Sequence, residues 1–279
     1  MKKIHIIIMC VIGGAIILGL FIGFAIKAMK QSGMYGGQVG VIEIYNVITS
    51  SKYVVDDIKE FTEDPSIKAI VLRVDSPGGG VAASQEIYEE LRKTKESKKI
   101  VISMGAVAAS GGYYVSLPAD VIVANPGTIT GSIGVIMEFP IFEELLDKIG
   151  IEFEVIKSRD HKDIGSPFRK LDQKERELLQ DVILDVYDQF VTATIDARGL
   201  PRDSVIKYAD GRILTGRQAY ELGFIDTLGT FYDAVDIAGD LVGIEDPILI
   251  YPRRRLSLID YFTEPVERLL TPTIRFLWR

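Results

Sequence analysis

The stretch KAIVLRVDSPGGG, residues 68–80, indicates the fold class of this 279-residue chain. Its first eight residues form an almost unbroken apolar and β-branched run, which is typical of a strand that a parallel sheet buries on both faces. A glycine-rich turn follows, and 82–95 has the spacing of a helix. The same order recurs at once, because KKIVISM (98–104) leads into the glycine-rich turn GAVAASGG (105–112) and a second helix pattern.

Strand patterns alternate with helix patterns over most of the remaining chain. Further strands are predicted at 39–46, 119–126 and 151–157, and a long amphipathic helix is predicted at 171–199. Alternation of this kind predicts an α/β fold with a largely parallel sheet. We therefore expect one folded domain over 38–250.

The composition excludes several classes of protein. A hydrophobic share of 47% and a charged share of 25% argue against a disordered or collagen-like chain. Residues 31–279 carry 28 basic and 39 acidic side chains, a formal charge of −11, so nucleic acid is not an expected partner. Cys10 is the only cysteine and His5 and His161 are the only histidines. We therefore expect no disulfide, no cysteine-based metal site and no multi-histidine zinc site, and we predict no bound metal.

An uncharged run of 23 residues, 4–26, is long enough to cross a bilayer as a helix. The alternative is a cleaved signal peptide, whose apolar region would be only ~7–15 residues and would end at a small-residue cleavage site. We therefore predict a cytoplasmic end and an uncleaved transmembrane anchor within 1–30, followed by a glycine-bearing linker at 31–37. Lysines flank both ends of the run, so charge alone does not fix its orientation.

The last segment, 251–279, is apolar and aromatic, is interrupted by prolines, and carries three successive arginines near its start. Two interpretations are open. The segment packs on the folded domain or a neighbouring subunit, or it lies at a membrane interface.

Both glycine-rich turns follow predicted parallel strands, at the edge where α/β sheets usually place their ligand sites. Glycine lets backbone N–H groups approach a developing anion, as an oxyanion hole requires. In the second turn Ser110 opens a helix pattern, so its hydroxyl is a candidate nucleophile. The alternative is that Ser110 only caps the helix.

A serine nucleophile requires a base. His161 is the only imidazole of the predicted domain, and the sequence offers no clear Ser-His-Asp triad around it. Lys162 is a second candidate, since a lysine can accept a proton where burial lowers its pKa, although most loop lysines are simply solvated. Asp160 or Asp163 would be the base of a reaction that is fastest in acid.

Five motifs occur in one order along the chain: DSPGGG (75–80), AASGGYYV (108–115), TGSIGV (130–135), KSRDHKDIGSPFR (157–169) and DGRILTGRQAYELGFID (210–226). Together they resemble the short form of signal peptide peptidase A, a family of membrane-bound serine proteases with a Ser-Lys dyad. The resemblance extends over about 38–245. It implies a crotonase/Clp-protease-like fold, in which β-β-α units repeat as a superhelix.

The same resemblance assigns catalytic roles to matching positions. Ser110 would be the nucleophile, Lys162 the general base and Ser132 the hydroxyl that orients the lysine; the alternative for Ser132 is a turn serine.

The DSPGG turn would supply an oxyanion donor from Gly78 or Gly79, with the N–H of Gly111 or Ser110 as its partner. The resemblance implies no cofactor, and it assigns no role to His161, which we expect at the surface.

The resemblance also implies a function. The expected enzyme is an endopeptidase anchored by a single span in the plasma membrane, with an extracytoplasmic catalytic domain that degrades remnant signal peptides and other short hydrophobic segments. A homo-oligomer is expected, in which neighbouring subunits can share the dyad. The alternatives are a membrane Ser-Lys protease that cuts a stomatin-like partner, a crotonase-like acyl-CoA enzyme, and a catalytically silent membrane scaffold.

Overall fold

The computed structural model describes residues 37–252, the backbone of Ile274–Leu277, and six helical positions of the N-terminal segment (13, 14, 18, 19, 21 and 23). The predicted anchor 4–26 and linker 31–37 therefore lie almost wholly outside the described residues. Within the described part of the chain, no helix is both long and apolar enough to cross a membrane.

The described residues form eleven strands and, between residues 37 and 252, eight helices. The strands are β1 (Gln38–Tyr45), β2 (Ile67–Ser76), β3 (Gly78–Gly80), β4 (Lys99–Ala109), β5 (Val121–Ala124), β6 (Ile129–Gly131), β7 (Ile136–Met137), β8 (Ile213–Thr215), β9 (Thr227–Leu228), β10 (Ile248–Ile250) and β11 (Ile274–Leu277). The helices are α1 (Lys52–Glu63), α2 (Val81–Thr94), α3 (Gly111–Ser116), α4 (Glu143–Ile149), α5 (Gln173–Arg198), α6 (Arg202–Ile206), α7 (Gly216–Glu221) and α8 (Phe231–Asp240).

The main sheet has eight strands. Six of them follow the order β10-β1-β2-β4-β5-β9, and every pair along that path is parallel. Strand β6 pairs in parallel with the far end of β4, and β8 pairs antiparallel with β6. The mostly parallel α/β fold predicted from the sequence is confirmed.

The central strand β2 is buried on both faces, as its apolar run predicts. Alternate residues point to opposite faces of a strand. Ile70 and Leu72 accordingly lie in the larger hydrophobic core, whereas Ala69 and Val71 lie in a second core on the other face. Helix α8 covers that second face with three of its side chains, Ala234, Val235 and Ala238.

The long helix predicted at 171–199 is α5, and capping residues in the sequence define both of its ends. Asp172 and Glu175 form a capping box at the start, in which each side chain accepts a hydrogen bond from the other residue's backbone N–H. Gly199 ends the helix in the left-handed conformation, at φ +62°.

The prediction of a strand at 151–157 is wrong. These residues have no regular secondary structure and are exposed, with Ile156 reaching 95% exposure. Alternating apolar residues favour a strand only where a partner strand supplies hydrogen bonds, and none pairs with this stretch among the described residues.

A second, antiparallel sheet has three strands in the order β3-β11-β7. Its middle strand, β11, belongs to the C-terminal segment 251–279, and most of that segment lies outside the described residues. The small sheet lies beside α3, because β3 and β11 both contact that helix.

Candidate active site

Ser110 occupies the sharp junction between β4 and α3. Its backbone lies at φ +52° and ψ −115°, a region that residues with a side chain rarely adopt. Two backbone hydrogen bonds fix this conformation: the Ser110 N–H donates to the Gly131 carbonyl and the Ser110 carbonyl accepts from the Tyr114 N–H, both at 2.8 Å. Strained backbone of this kind is common at catalytic nucleophiles.

The Ser110 side chain is buried, and its Oγ has no hydrogen-bond partner among the described residues. The side chain does not cap α3, so the capping alternative is wrong. A buried hydroxyl without a partner is costly, which makes it a candidate for a role in chemistry.

The two glycine-rich turns meet beside Ser110. A Cβ on Gly111 would lie 3.1 Å from the Gly78 Cα and 3.1 Å from the Gly79 nitrogen. A Cβ on Gly79 would lie only 2.0 Å from the carbonyl oxygen of Ile48. Gly79 therefore requires glycine, whereas a side chain at Gly111 would fit only if its neighbours shifted.

Hydrogen bonds narrow the set of oxyanion donors. The Gly78 N–H donates to the Ser76 Oγ at 3.1 Å, and the Ser110 N–H is already committed to Gly131. Gly79 and Gly111 are the other two members of the predicted set, and Gly79 lies opposite residue 276 in the ladder between β3 and β11.

Ser132 lies next to Ser110 across two paired strands. The register of β4 and β6 places Ala109 opposite Gly131, so the following residues, Ser110 and Ser132, are neighbours. Ser132 is also buried, has a positive φ of +51°, and donates its N–H to the Arg212 carbonyl at 2.9 Å. The structure thus brings together two strained serines at one edge of the sheet.

Lys162 is exposed and lies in a loop over 157–170. The Ser110 Oγ has no hydrogen-bond partner in the part of the chain that the structure describes, so Lys162 is not bonded to it there. His161, its neighbour, is half-buried, and its Nδ1 is likewise without a partner among the described residues.

An ionic cluster that the sequence did not predict anchors the Lys162 loop to α5. Arg169 donates to both Asp163 (Nε to Oδ2, 2.8 Å) and the buried carboxylate of Glu175 (Nη1 to Oε2, 2.7 Å). Lys157 adds a third bond, from Nζ to Asp163 Oδ1 at 2.7 Å. The only feature of the sequence that marks this ionic cluster is the six-residue spacing of Asp163, Arg169 and Glu175.

These contacts change the acidity of the carboxyl groups. The pKa of Glu175 falls to about 2, mainly because the Arg169 guanidinium donates to its carboxylate; burial opposes this shift, and the hydrogen bond from the Asp172 N–H adds to it. Arg169 and Lys157 hold the pKa of Asp163 far below its usual range. Asp163 is therefore a structural anion, which argues against it as the base.

Ser84 is a buried serine near the candidate site that the sequence analysis did not single out. It lies on α2 with its Oγ buried and without a partner among the described residues, 2.8 Å from the position that a Gly111 Cβ would take. Nothing in its sequence context distinguishes it from other helix serines.

Comparisons with known proteins identify the family of this chain. The peptidase family S49 model matches residues 92–245, which include Ser110, Ser132 and Lys162, and the Clp protease model matches residues 37–121. A predicted protease of Synechocystis sp. is 45% identical over 210 residues, which are 75% of this chain and 76% of that protein.

Two further relatives are longer than the matched region. Protease 4 of Salmonella typhi is 39% identical over 204 residues, which are 73% of this chain and 33% of that protein. A predicted signal peptide peptidase SppA of Enterococcus faecium is 39% identical over 180 residues, which are 64% of this chain and 52% of that protein. The family expected from the five motifs is confirmed: the chain belongs to peptidase family S49 and is a protease similar to signal peptide peptidase A.

Proposed function

We propose that this peptidase is a membrane-anchored serine endopeptidase with a Ser-Lys dyad, which degrades remnant signal peptides and other short hydrophobic segments. The observation that carries the proposal is the state of Ser110. Its hydroxyl is buried without a partner among the described residues, and its backbone is strained. The next residue is Gly111, whose Cβ position lies 3.1 Å from the Gly79 nitrogen. This arrangement supports acyl transfer, because nucleophile and oxyanion donors must converge on one carbonyl.

The proposed reaction uses these groups in order. Neutral Lys162 takes the proton of Ser110, and the Oγ attacks the scissile carbonyl carbon. The N–H groups of Gly79 and Gly111 stabilise the resulting oxyanion. Lys162 then gives its proton to the leaving amine, and water hydrolyses the acyl-serine ester to release the second product.

In this proposal Lys162 acts on Ser110 of a neighbouring copy. Support comes from the exposed position of Lys162 and from the lack of a partner for the Ser110 Oγ among the described residues. Ser132, next to Ser110, would orient the incoming ammonium or amine group.

The proposed contact between copies is the apolar arm, which we define as residues 141–156. Its exposed side chains include Leu145, Ile149, Phe153 and Ile156. An apolar surface of this extent is unusual on a monomer. The arm is joined to the Lys162 loop, because the Phe142 N–H donates to the Pro167 carbonyl at 2.7 Å and Phe153 stacks on Phe168. Assembly through the arm would therefore carry Lys162 with it.

The proposed localisation is the plasma membrane, with an extracytoplasmic catalytic domain and membrane lipid around the anchor. The uncharged run 4–26 supports an anchor, which would place the active site near membrane-embedded peptides. Carbonate extraction should leave the full-length protein in the membrane pellet, and release of a shortened protein would indicate a cleaved signal peptide instead.

A fluorophosphonate probe tests the serine assignment, because it forms a covalent bond with activated serines only. Wild type should be labelled at Ser110, and Ser110→Ala should not be labelled. Ser204→Ala, at an exposed serine of α6, is the matched control and should be labelled like wild type. Absence of labelling in the folded wild type would contradict a serine peptidase and favour an acyl-CoA enzyme or a silent scaffold.

A further inference from the structure

The Ser84 hydroxyl of α2 differs in its hydrogen bonding from two other buried helix hydroxyls of this chain. A buried helix serine or threonine can donate to the carbonyl four residues earlier. Ser116 and Thr194 do so, from Oγ to the Gly112 oxygen at 2.7 Å and from Oγ1 to the Phe190 oxygen at 3.0 Å. Ser84 is equally buried, yet its Oγ has no partner among the described residues. Its donor is therefore available to a ligand.

The Ser84 Oγ reaches the glycine-rich turns, because helix side chains tilt towards the N-terminus. It lies 2.8 Å from the position that a Gly111 Cβ would take, and the Gly79 nitrogen lies 3.1 Å from the same position. A Cβ is ~2.5 Å from its own backbone nitrogen, so the Ser84 Oγ lies within ~5.3 Å of the Gly111 nitrogen. Two donors that are each ~2.9 Å from one oxygen can be up to ~5.8 Å apart. By distance, one oxygen atom can accept from both groups.

The start of α2 favours a negative charge at this position. The helix has 14 residues, its first turn contains no acidic residue, and Gly80 at its N-cap offers no capping side chain. The positive end of the helix dipole is therefore not offset by the helix's own side chains. Ser84 is the fourth residue of the helix, so its hydroxyl lies at this end. A hydroxyl that lacks a partner gains most from an anion, because charge-assisted hydrogen bonds are the strong ones.

We propose that Ser84 is a further catalytic residue, whose hydroxyl donates a hydrogen bond to the oxyanion during acyl transfer. The inference rests on the proposed function, which supplies the reaction. When the Ser110 Oγ bonds to the scissile carbonyl carbon, the π pair of the C=O bond moves to the oxygen. Ser84 donates to that oxygen and keeps its own proton, since the Ser110 proton passes to Lys162. Because the negative charge exists only after the attack begins, this hydrogen bond stabilises the transition state more than the bound substrate.

A purely structural role for Ser84 predicts a different result. In that case Ser84 only provides a small side chain where α2 contacts α3. Alanine fills nearly the same space and removes a buried hydroxyl that lacks a partner, so Ser84→Ala should be at least as stable as wild type. Stability is retained in both accounts. The rate is unchanged if the role is structural and falls if Ser84 stabilises the oxyanion.

The test measures kcat, KM and Tm of the full chain with a fluorogenic peptide amide. Ser84→Ala should lower kcat about a hundredfold, keep KM within about twofold, and unfold at the wild-type temperature or above. Thr194→Val is the matched control, because it removes a buried helix hydroxyl that already has a partner, and it should keep the wild-type kcat. Wild-type kcat in a folded Ser84→Ala protein would overturn the proposal.

Inhibitor binding gives a second readout. A peptide aldehyde forms a hemiacetal with Ser110 whose oxygen takes the place of the oxyanion, so its Ki should rise about a hundredfold in Ser84→Ala. An intact peptide should bind equally well to Ser110→Ala with and without Ser84→Ala. An unchanged aldehyde Ki would overturn the proposal, as would a Kd for the intact peptide that weakens as much as kcat falls.

These outcomes separate the inference from the proposed function. An active wild-type enzyme whose kcat and aldehyde Ki do not change in Ser84→Ala would remove the role of Ser84 and leave the proposed function standing. A folded wild-type protein with neither peptidase activity nor fluorophosphonate labelling would remove the proposed function, and this inference with it.

Discussion

At the scale of single residues, the site depends on two serines in backbone conformations that disfavour a side chain. Ser110 and Ser132 have φ values of +52° and +51°. Such residues cost about 1–3 kcal/mol each and persist only where neighbouring structure enforces them. Here Gly131 links the two, since it accepts the Ser110 N–H and immediately precedes Ser132. A substitution at either serine can therefore change the stability of the fold as well as the reaction rate, and both should be measured.

We expect Ser110→Ala and Lys162→Ala each to lower kcat/KM on a peptide substrate by at least about a thousandfold, because dyad members act as one unit. For the same reason the double variant should be no slower than either single variant. His161→Ala should retain most of the activity, since its ring is not assigned to the reaction. A comparable loss in a folded His161→Ala protein would contradict the lysine base and favour a histidine.

We expect Gly79→Ala to damage both activity and stability. The new Cβ would lie 2.0 Å from the Ile48 carbonyl oxygen, so the turn has to move. Displacing an oxyanion donor should lower kcat by about a hundredfold, and overpacking should lower the free energy of unfolding by about 1–3 kcal/mol.

Gly127→Ala is the control for that variant, because nothing lies within 4 Å of its Cβ position. Kinetics and chemical denaturation should both leave Gly127→Ala close to wild type. Wild-type kcat in Gly79→Ala would remove Gly79 from the oxyanion hole.

At the scale of elements, the important unit is the Lys162 loop and the start of α5. Arg169 joins them through Asp163 and the buried Glu175, while Glu175 also accepts the Asp172 N–H in the capping box. A buried carboxylate needs a charged or hydrogen-bonding partner, so loss of Arg169 affects the loop and the helix end together.

Arg169→Met should lower the Tm at pH 7 by about 5 °C. The folded-state pKa of Glu175, about 2, is below the ~4.3 of an unfolded chain. The stabilisation is therefore complete above pH ~4.3 and is lost as the pH falls towards 2. Differential scanning fluorimetry from pH 7 to pH 3 should show the gap between wild type and variant closing in acid. Arg159→Met, in the same loop, should match wild type; a gap that is constant with pH would contradict the ionic origin.

The elements also show what a sequence can predict. The strand prediction at 68–75 is correct because a strand buried on both faces needs a nearly unbroken run of apolar residues, which the sequence shows directly. The stretch 151–157 was mispredicted because alternation alone does not supply a partner strand. The Arg169 cluster and the pairing of β11 with β3 depend on residues distant in sequence, which only the folded chain brings together. The glycine turns are predictable because close backbone approach demands glycine. Ser110 is predictable from its place after a strand and at the start of a helix pattern, whereas its strained backbone leaves no signal in the sequence.

At the scale of the whole molecule, the described residues of one chain show no hydrogen bond between the proposed nucleophile and its base. Ser110, Ser132, Gly79 and Gly111 converge at one edge of the sheet, whereas Lys162 lies on the exposed loop next to the apolar arm. The central claim is that assembly brings Ser110 of one copy to Lys162 of another.

Complementation between inactive variants tests that claim most directly. Ser110→Ala and Lys162→Ala proteins, each inactive alone, are co-expressed and purified as mixed oligomers, whose composition native mass spectrometry verifies. Random pairing predicts that activity returns to about a quarter of the wild-type value. Ile156→Asp in both chains should abolish the recovery by disrupting the apolar arm. Mixed oligomers that form but show no more activity than the separate variants would contradict a dyad shared between copies.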